Sequence, residues 1–306
     1  MIRPATDADL PRMAELLGQN MNEPFSVDTL REMRETFPAD GFLTELVDEV
    51  DGTIRCFGTA FRWPQEPSGR LKMRVHTDVT HRRQGLGRAM FEALPTHEAT
   101  DLRTEVRDDD EESLAFATRR GFRRKEHIFE SSLELDGLNL APFWEAVERA
   151  EAKGIQFFAF ADTPMGDDDL WRLYDVNMAT ALDIPGSDPE VPPFEAWRDM
   201  VKGGTWFEPA GQFVAAAGDE WVGIGAVGPF APGRYYNLMT GVRREWRGCG
   251  IASALKLLGI RYAQLQGGSS IRTNNHSENG PMLTINRRLG YVPDPGWYGL
   301  RREKSL

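Results

Sequence analysis

Cysteine is scarce: the 306 residues hold two, Cys56 and Cys249, far apart in the chain. A disulfide framework is therefore excluded, and no CxxC pair or Cys/His cluster has the spacing of a zinc site, so no metal is expected. Long apolar runs are also missing. None approaches the roughly 18 residues needed to span a bilayer, and no membrane partner is expected. The opening residues, MIRPATDADLPRM, carry acids early and lack an apolar signal core, which leads to the expectation of a cytoplasmic protein. Positive charge is in deficit. The net charge is −11, with 20 basic and 29 acidic residues over 1–150 and 16 and 18 over 151–306. That balance argues against a nucleic-acid surface and suits an amine-bearing ligand. Two familiar phosphate loops are absent. No Gly-Lys-Ser/Thr of a Walker loop occurs, and "GCGIAS" and "GLGRAM" fail the GxGxxG fingerprint at its third glycine.

What is present is a repeat. Displacing the chain by 165 residues lays "TDVTHRRQGLG" (77–87) on "VRREWRGCGIA" (242–252), Arg82 on Arg247 and Gly85 on Gly250. A displacement of 169 lays "LRT" (102–104) on "IRT" (271–273) and Gly121 on Gly290, with "GGSS" (267–270) absorbing the difference as a loop insertion. Each half reads alike. An early helix ("DLPRMAELLGQNM", "DDDLWRLYDVNM") precedes a hairpin, turning at Asp51-Gly52 in one half and at Gly218-Asp219 in the other. A strand follows ("LKMRVHT", "YYNLMTGV"), then the Arg/Gly turn, a helix ("GRAMFEALPTH", "IASALKLLGIRYAQLQ"), a strand, a short helix and a Gly-aromatic pair. The expectation is an α/β chain of two domains, 1–137 and 155–306, joined by a linker helix over 138–154.

The pattern Arg-x-x-Gly-x-Gly/Ala between a strand and a helix has a direct chemical meaning. Small residues leave the backbone bare, and the first N–H groups of a helix lack intrahelical partners and carry positive partial charge. Together they suit a pyrophosphate, and an arginine adds a planar cationic fork. One copy would be weak evidence. Two copies in matched context are strong.

With these residues in view, each half resembles the GNAT-family N-acetyltransferases, and the resemblance covers nearly the whole chain as a tandem pair. It implies two GNAT-like domains, each a twisted mixed central sheet flanked by helices, and acetyl-CoA or another acyl-CoA as cofactor. It implies that Val242 and Arg243 lie along the cofactor's arm, and that Arg247, Gly248, Cys249, Gly250, Ile251 and Ala252 cradle the pyrophosphate. A backbone N–H at or near Val242 would polarise the acetyl carbonyl. Asn279 and Asn286 join the cofactor-contacting set. In the first half the matching set is Thr77, Val79, Arg82, Arg83, Gln84, Gly85, Leu86, Gly87 and Arg88.

The sequence departs from the family where many members carry a tyrosine four residues before the Gly-aromatic pair, which protonates the departing thiolate. Ala117 and Asn286 stand there, and neither is an acid. A thiol near pKa 8.5 is a fair leaving group without one. Asn275, His276 and Tyr236 are the catalytic candidates, with Tyr235 a further possible base. The first half has Asp110 where the second has Asn279, and acids in "RDDDEE" beside its loop, so catalysis is expected in the second half. The leading expectation is acetyl transfer to a primary amine of a small molecule, direct and within a ternary complex, by a monomer or homodimer that binds no nucleic acid. A non-catalytic acyl-CoA-binding or sensing protein is the alternative. A tRNA-dependent aminoacyl transferase is a third class, disfavoured by the charge.

Overall fold

The computed structural model describes residues 1–21, 24–96, 99–185, 191–204 and 207–303. The chain divides into two compact units. The first runs from Met1 to Glu126 and takes in the C-terminal segment from Trp297; the second is His127–Gly296.

The first unit begins with β1 (Ile2–Pro4), α1 (Leu10–Met21), α2 (Val27–Glu35), β2 (Phe42–Val50), β3 (Thr53–Arg62) and β4 (Arg70–Thr77). It continues with α3 (Leu86–Ala93), β5 (Asp101–Arg107) and α4 (Glu111–Thr118). The strand β6 (Arg123–Glu134) leads into the second unit, which holds α5 (Glu145–Glu151), β7 (Ile155–Ala159), α6 (Asp167–Ala181) and α7 (Phe194–Gly203). Next come β8 (Gln212–Ala217), β9 (Glu220–Ala231), β10 (Arg234–Val242), α8 (Ile251–Leu265), β11 (Ser270–His276), α9 (Gly280–Leu289) and β12 (Val292–Pro293). The last strand, β13 (Trp297–Glu303), belongs to the first unit.

Local chemistry explains the elements. In α1, Leu10, Met13, Ala14 and Leu17 recur at helical spacing and bury against Val47, Ile54 and Phe57. Asp51 and Gly52 both have positive φ, the conformation that a two-residue hairpin turn demands, and they join β2 to β3. The helix α3 stops at Ala93, shorter than the expected "GRAMFEALPTH", because Leu94 precedes a proline and is extended. The Pro-rich stretch 183–197 yields α7 after Pro193, and residues 186–190 of it lie outside the described residues. Trp197 and Val201 of α7 bury beside Leu170, Leu173 and Trp221. Gly241 in β10 permits close approach of α6, since a Cβ there would lie 2.3 Å from Thr180 Oγ1.

The strands of each unit follow the same plan. In the first unit the order is β1-β2-β3-β4-β5-β13, with β4 and β5 parallel and the other neighbours antiparallel. In the second it is β7-β8-β9-β10-β11-β6, with β10 and β11 the parallel pair. The sixth strand of each series comes from the other half of the repeat. Trp297–Glu303 pair with Arg107–Asp101. Ile128–Glu134 pair with His276–Ser270 in the register reached by the 169-residue displacement. The contiguous domains expected at 1–137 and 155–306 are corrected accordingly: duplication sets the sequence repeat, but hydrogen bonding assigns β6 and β13 reciprocally. The expected linker helix is α5, within the second unit.

The exchange makes a stability prediction. Leu300 of β13 is buried with Leu71, Met73 and Leu102. Leu300→Ala should cost about 2–4 kcal/mol and speed amide exchange in β4 and β5, with β8 to β10 little changed. Equal acceleration in both units, read by hydrogen exchange with mass spectrometry, would refute the assignment of β13.

Candidate functional site

The site begins where two parallel strands part. In the second unit β10 and β11 pair only over Arg234–Asn237 and Ser270–Thr273, although β10 continues to Val242 and β11 to His276. A bulge between Asn237 and Met239 marks the parting. The Asn237 side chain secures it, donating from Nδ2 to Ala226 O (3.1 Å) and Met239 O (2.8 Å). Thr240 Oγ1 donates to Asn237 Oδ1, and Thr273 Oγ1 to Asn237 O across the last paired rung. Beyond it, the facing backbone groups of the two strands are not joined to each other. In the first unit β4 and β5 pair only over Arg70–Lys72 and Asp101–Arg103.

At the far end of β10 lies the glycine loop. A short 3-10 turn (Arg244–Trp246) leads to Arg247, then to Gly248 and Gly250 at φ 75° and 89°, and α8 begins. No side chain caps Gly250, so the first N–H groups of α8 stay bare. The first unit repeats the geometry: a 3-10 turn at Val79–His81, Arg83 at φ 65°, Gly85 at φ 87° and an uncapped α3. Arg83 holds there a left-handed conformation that suits glycine.

The two loops differ in their charge partners. Arg247 donates from Nε to Val242 O at 3.0 Å and pairs through Nη2 with Asp183, which also pairs with Arg244. Those guanidiniums, Arg244 foremost, hold the Asp183 carboxyl below its usual range. Arg243 is engaged elsewhere, with Asp175 and with Trp221 O. In the first unit Arg82 donates to Asn20 Oδ1 (2.9 Å) and faces Asp110 at 3.4 Å, while Arg83 pairs with Glu112 at 2.7 Å. Two carboxylates from the start of α4 thus lie on that loop's arginines. Thr77 Oγ1 sits 3.3 Å from Cys56 Sγ, and a Cβ on Gly87 would meet Thr77 and Phe116 at 3.3–3.4 Å.

Beside the second loop is a cavity of about 350 Å³. Gly248, Cys249, Gly250 and Ser253 form one wall, and Arg149, Lys153 and Arg288 contribute three cations against the single carboxylate of Glu145. Glu145 pairs with Arg149 at 3.1 Å. The cavity favours an anion next to bare helix N–H groups.

The remaining candidates fall into three settings. Asn279 caps α9, its Oδ1 accepting from Met282 N, as Asp110 caps α4. Asn275 and Asn286 are buried and joined, Asn286 Nδ2 donating to Asn275 Oδ1 at 2.7 Å, and Asn275 Nδ2 lies 2.9 Å from Ser131 Oγ. That pair is committed to the core. Tyr236 donates to Glu130 Oε1 at 2.8 Å, and burial together with this bond pushes its hydroxyl above the usual phenol range. His276 is buried, and its Nδ1 accepts from Glu278 N at 3.2 Å.

One residue was not anticipated. Lys256 lies on the buried side of α8 with 3% of its surface exposed, and its Nζ donates to Asn237 Oδ1 at 2.6 Å. Its Nζ also stands 5.0 Å from the Tyr291 ring centre. Burial pulls its pKa down to about 7. The sequence carried a sign of it: in "IASALKLLGI" the lysine stands in a mostly apolar run, between Leu255 and Leu257, which are both buried.

Known proteins share this architecture. Residues 170–291 match the Acetyltransferase (GNAT) family. A mycothiol acetyltransferase from Streptomyces scabiei is 35% identical over 97 residues, 31% of each chain. Another from Pseudarthrobacter chlorophenolicus is 26% identical over 287 residues, 89% of this chain and 84% of that one. Among solved structures, a GCN5-related N-acetyltransferase from Sphaerobacter thermophilus superposes with a TM-score of 0.71 at 21% identity, covering 99% of this chain and 95% of the other. A tandem GNAT protein from the clavulanic acid biosynthesis pathway gives 0.64 at 18% identity, covering 100% and 99%. Residues 170–291 are thus an acetyltransferase domain of the GNAT family, set in a chain whose whole length has the tandem GNAT fold.

Proposed function

We propose that the second unit moves an acetyl group from acetyl-CoA directly to a primary amine of a small molecule, and that the first unit is a scaffold. The observation that carries this is the parting of β10 from β11 beyond Asn237 and Thr273, which leads to an uncapped helix at Gly250. Open backbone and bare N–H groups fit a ligand with an extended amide arm and a pyrophosphate. When bound, acetyl-CoA supplies an acyl group activated as a thioester. Arg247 and the N–H groups from Gly248 to Ala252 would hold its pyrophosphate, with Arg149, Lys153 and Arg288 beside its charged nucleotide end. The relatives named mycothiol acetyltransferase support a small-molecule acceptor.

In this reading neither Tyr236 nor His276 takes the amine's proton. Tyr236 keeps its own toward Glu130, and the Nδ1 lone pair of His276 is already taken by the N–H of Glu278. The acceptor therefore reacts as free amine, its proton leaving to water. Non-catalytic acyl-CoA binding is the second reading, favoured by one observation: Asn286, in the place of the usual acid, is buried against Asn275.

Three outcomes test the proposal. Calorimetry should find acetyl-CoA affinity lowered about 10–100-fold by Arg247→Ala, the range for losing a charge-assisted hydrogen bond, and changed less than about twofold by Arg82→Ala. Dephospho-CoA should bind more weakly than CoA, and Arg149→Ala with Arg288→Ala should erase that preference. Turnover against an amine panel should rise with pH until the acceptor amine is deprotonated, and His276→Ala and Tyr236→Phe should leave that rise in place. No acetyl-CoA binding at all would end the proposal; binding with no turnover on any amine would select the second reading.

A further inference from the structure

We propose that Lys256 is a positioning residue: from inside the core it holds Asn237, and through Asn237 it fixes the bulge at which β10 leaves β11. The chain of contacts is short. Lys256 Nζ donates to Asn237 Oδ1 at 2.6 Å. Asn237 Nδ2 donates to Ala226 O and Met239 O, carbonyl groups on the two sides of the irregular rung. The last rung between β10 and β11 is Asn237 with Thr273, so the same residue that Lys256 grips ends the parallel pairing. Leu238, the extra residue of the bulge, is left exposed.

An amine in this place is costly. Burying a charge without a carboxylate partner opposes folding, and an apolar chain of similar volume would pack more stably. What the lysine adds is a strong donor aimed at one carbonyl oxygen. A charged donor makes a hydrogen bond roughly twice as strong as a neutral one. The grip therefore depends on the ammonium form. Facing the amine, β10 presents Asn237, whose Oδ1 also accepts from Thr240 Oγ1, and neither side chain titrates. The chain after α9 presents Tyr291, whose hydroxyl burial pushes above its usual range and so keeps neutral. Burial away from water lowers the lysine's pKa to about 7.

Two signs follow. The grip weakens as pH rises through about 7. Stability moves the other way: between about 7 and the unfolded value of 10.5 the unfolded chain binds the extra proton, so stability from this group increases as pH climbs through that window.

The inference rests on acetyl-CoA binding in the second unit. Its test uses the full chain, with acetyl-CoA titrated by calorimetry from pH 6 to 8.5, thermal melting, and amide exchange over residues 237–242. The wild type should bind about tenfold more tightly at pH 6 than at pH 8.5. Lys256→Met should bind weakly at every pH while melting higher than wild type near pH 7, by a margin that shrinks toward pH 10. Its exchange at 237–242 should accelerate although the molecule as a whole is more stable. Asn237→Ala should reproduce the binding loss, and the double variant should add nothing further. Should Lys256→Met fold poorly, Asn237→Ala must alone abolish the pH dependence. A Lys256→Met protein with wild-type affinity, pH profile and exchange overturns the proposal. If no form binds acetyl-CoA, the functional reading fails instead, and exchange at 237–242 still decides the role of Lys256.

Discussion

A parallel strand pair that stops pairing partway leaves two rows of backbone donors and acceptors facing a gap, and the rest of the site depends on that arrangement. Interior polar groups must find partners, so a gap of this kind is stable only beside water or a ligand. In the second unit the parting is pinned by side chains, since Asn237 takes up the carbonyl groups the bulge leaves over. Downstream, β10 delivers the chain to a loop whose two left-handed glycines turn it into an uncapped helix. The gap, the loop and the basic cavity beside it follow one another along β10 and α8. One strand irregularity thus organises the whole constellation.

The reciprocal exchange of β6 and β13 has a second consequence. Each six-strand series takes its last strand from the other copy, so neither half of the repeat supplies a complete series by itself. This also bears on the asymmetry of the two loops. The first keeps the backbone geometry of the second, left-handed turns included, but places Asp110 and Glu112 against Arg82 and Arg83. A fold closed by exchange needs both copies for its sheets, whatever chemistry each loop retains. Asp183 does occupy Arg244 and Arg247 in the second loop, but it stands after α6 rather than at the start of the helix that follows the parted strand.

Much of this was legible in the residues. The displacement of 165 relates the 3-10 turn at Val79–His81 to that at Arg244–Trp246, and the displacement of 169 relates β5 to β11. The hairpin at Asp51-Gly52 and the helices α1, α6 and α8 followed from turn chemistry and apolar spacing. The candidates around β11 were harder. Asn275, Asn286 and His276 are near in sequence to the expected site, yet strand alternation and burial turn the asparagines toward each other. The role of Lys256 is not legible locally, because a single lysine in an apolar helix reads as a surface residue unless the fold buries the helix on that side.

The sequence by itself determined the duplication, the Arg/Gly loops and the helix starts, because these depend on short-range chemistry: backbone freedom at glycine, spacing along a helix, charge beside an N-terminus. The tertiary structure decided which strand closes which sheet, where β10 and β11 part, and that a lysine should lie beneath Asn237. Those outcomes depend on hydrogen bonds between residues as far apart as Arg103 and Arg301, or Asn237 and Lys256. No local pattern encodes such pairings, since each is set by what the rest of the fold leaves unpaired.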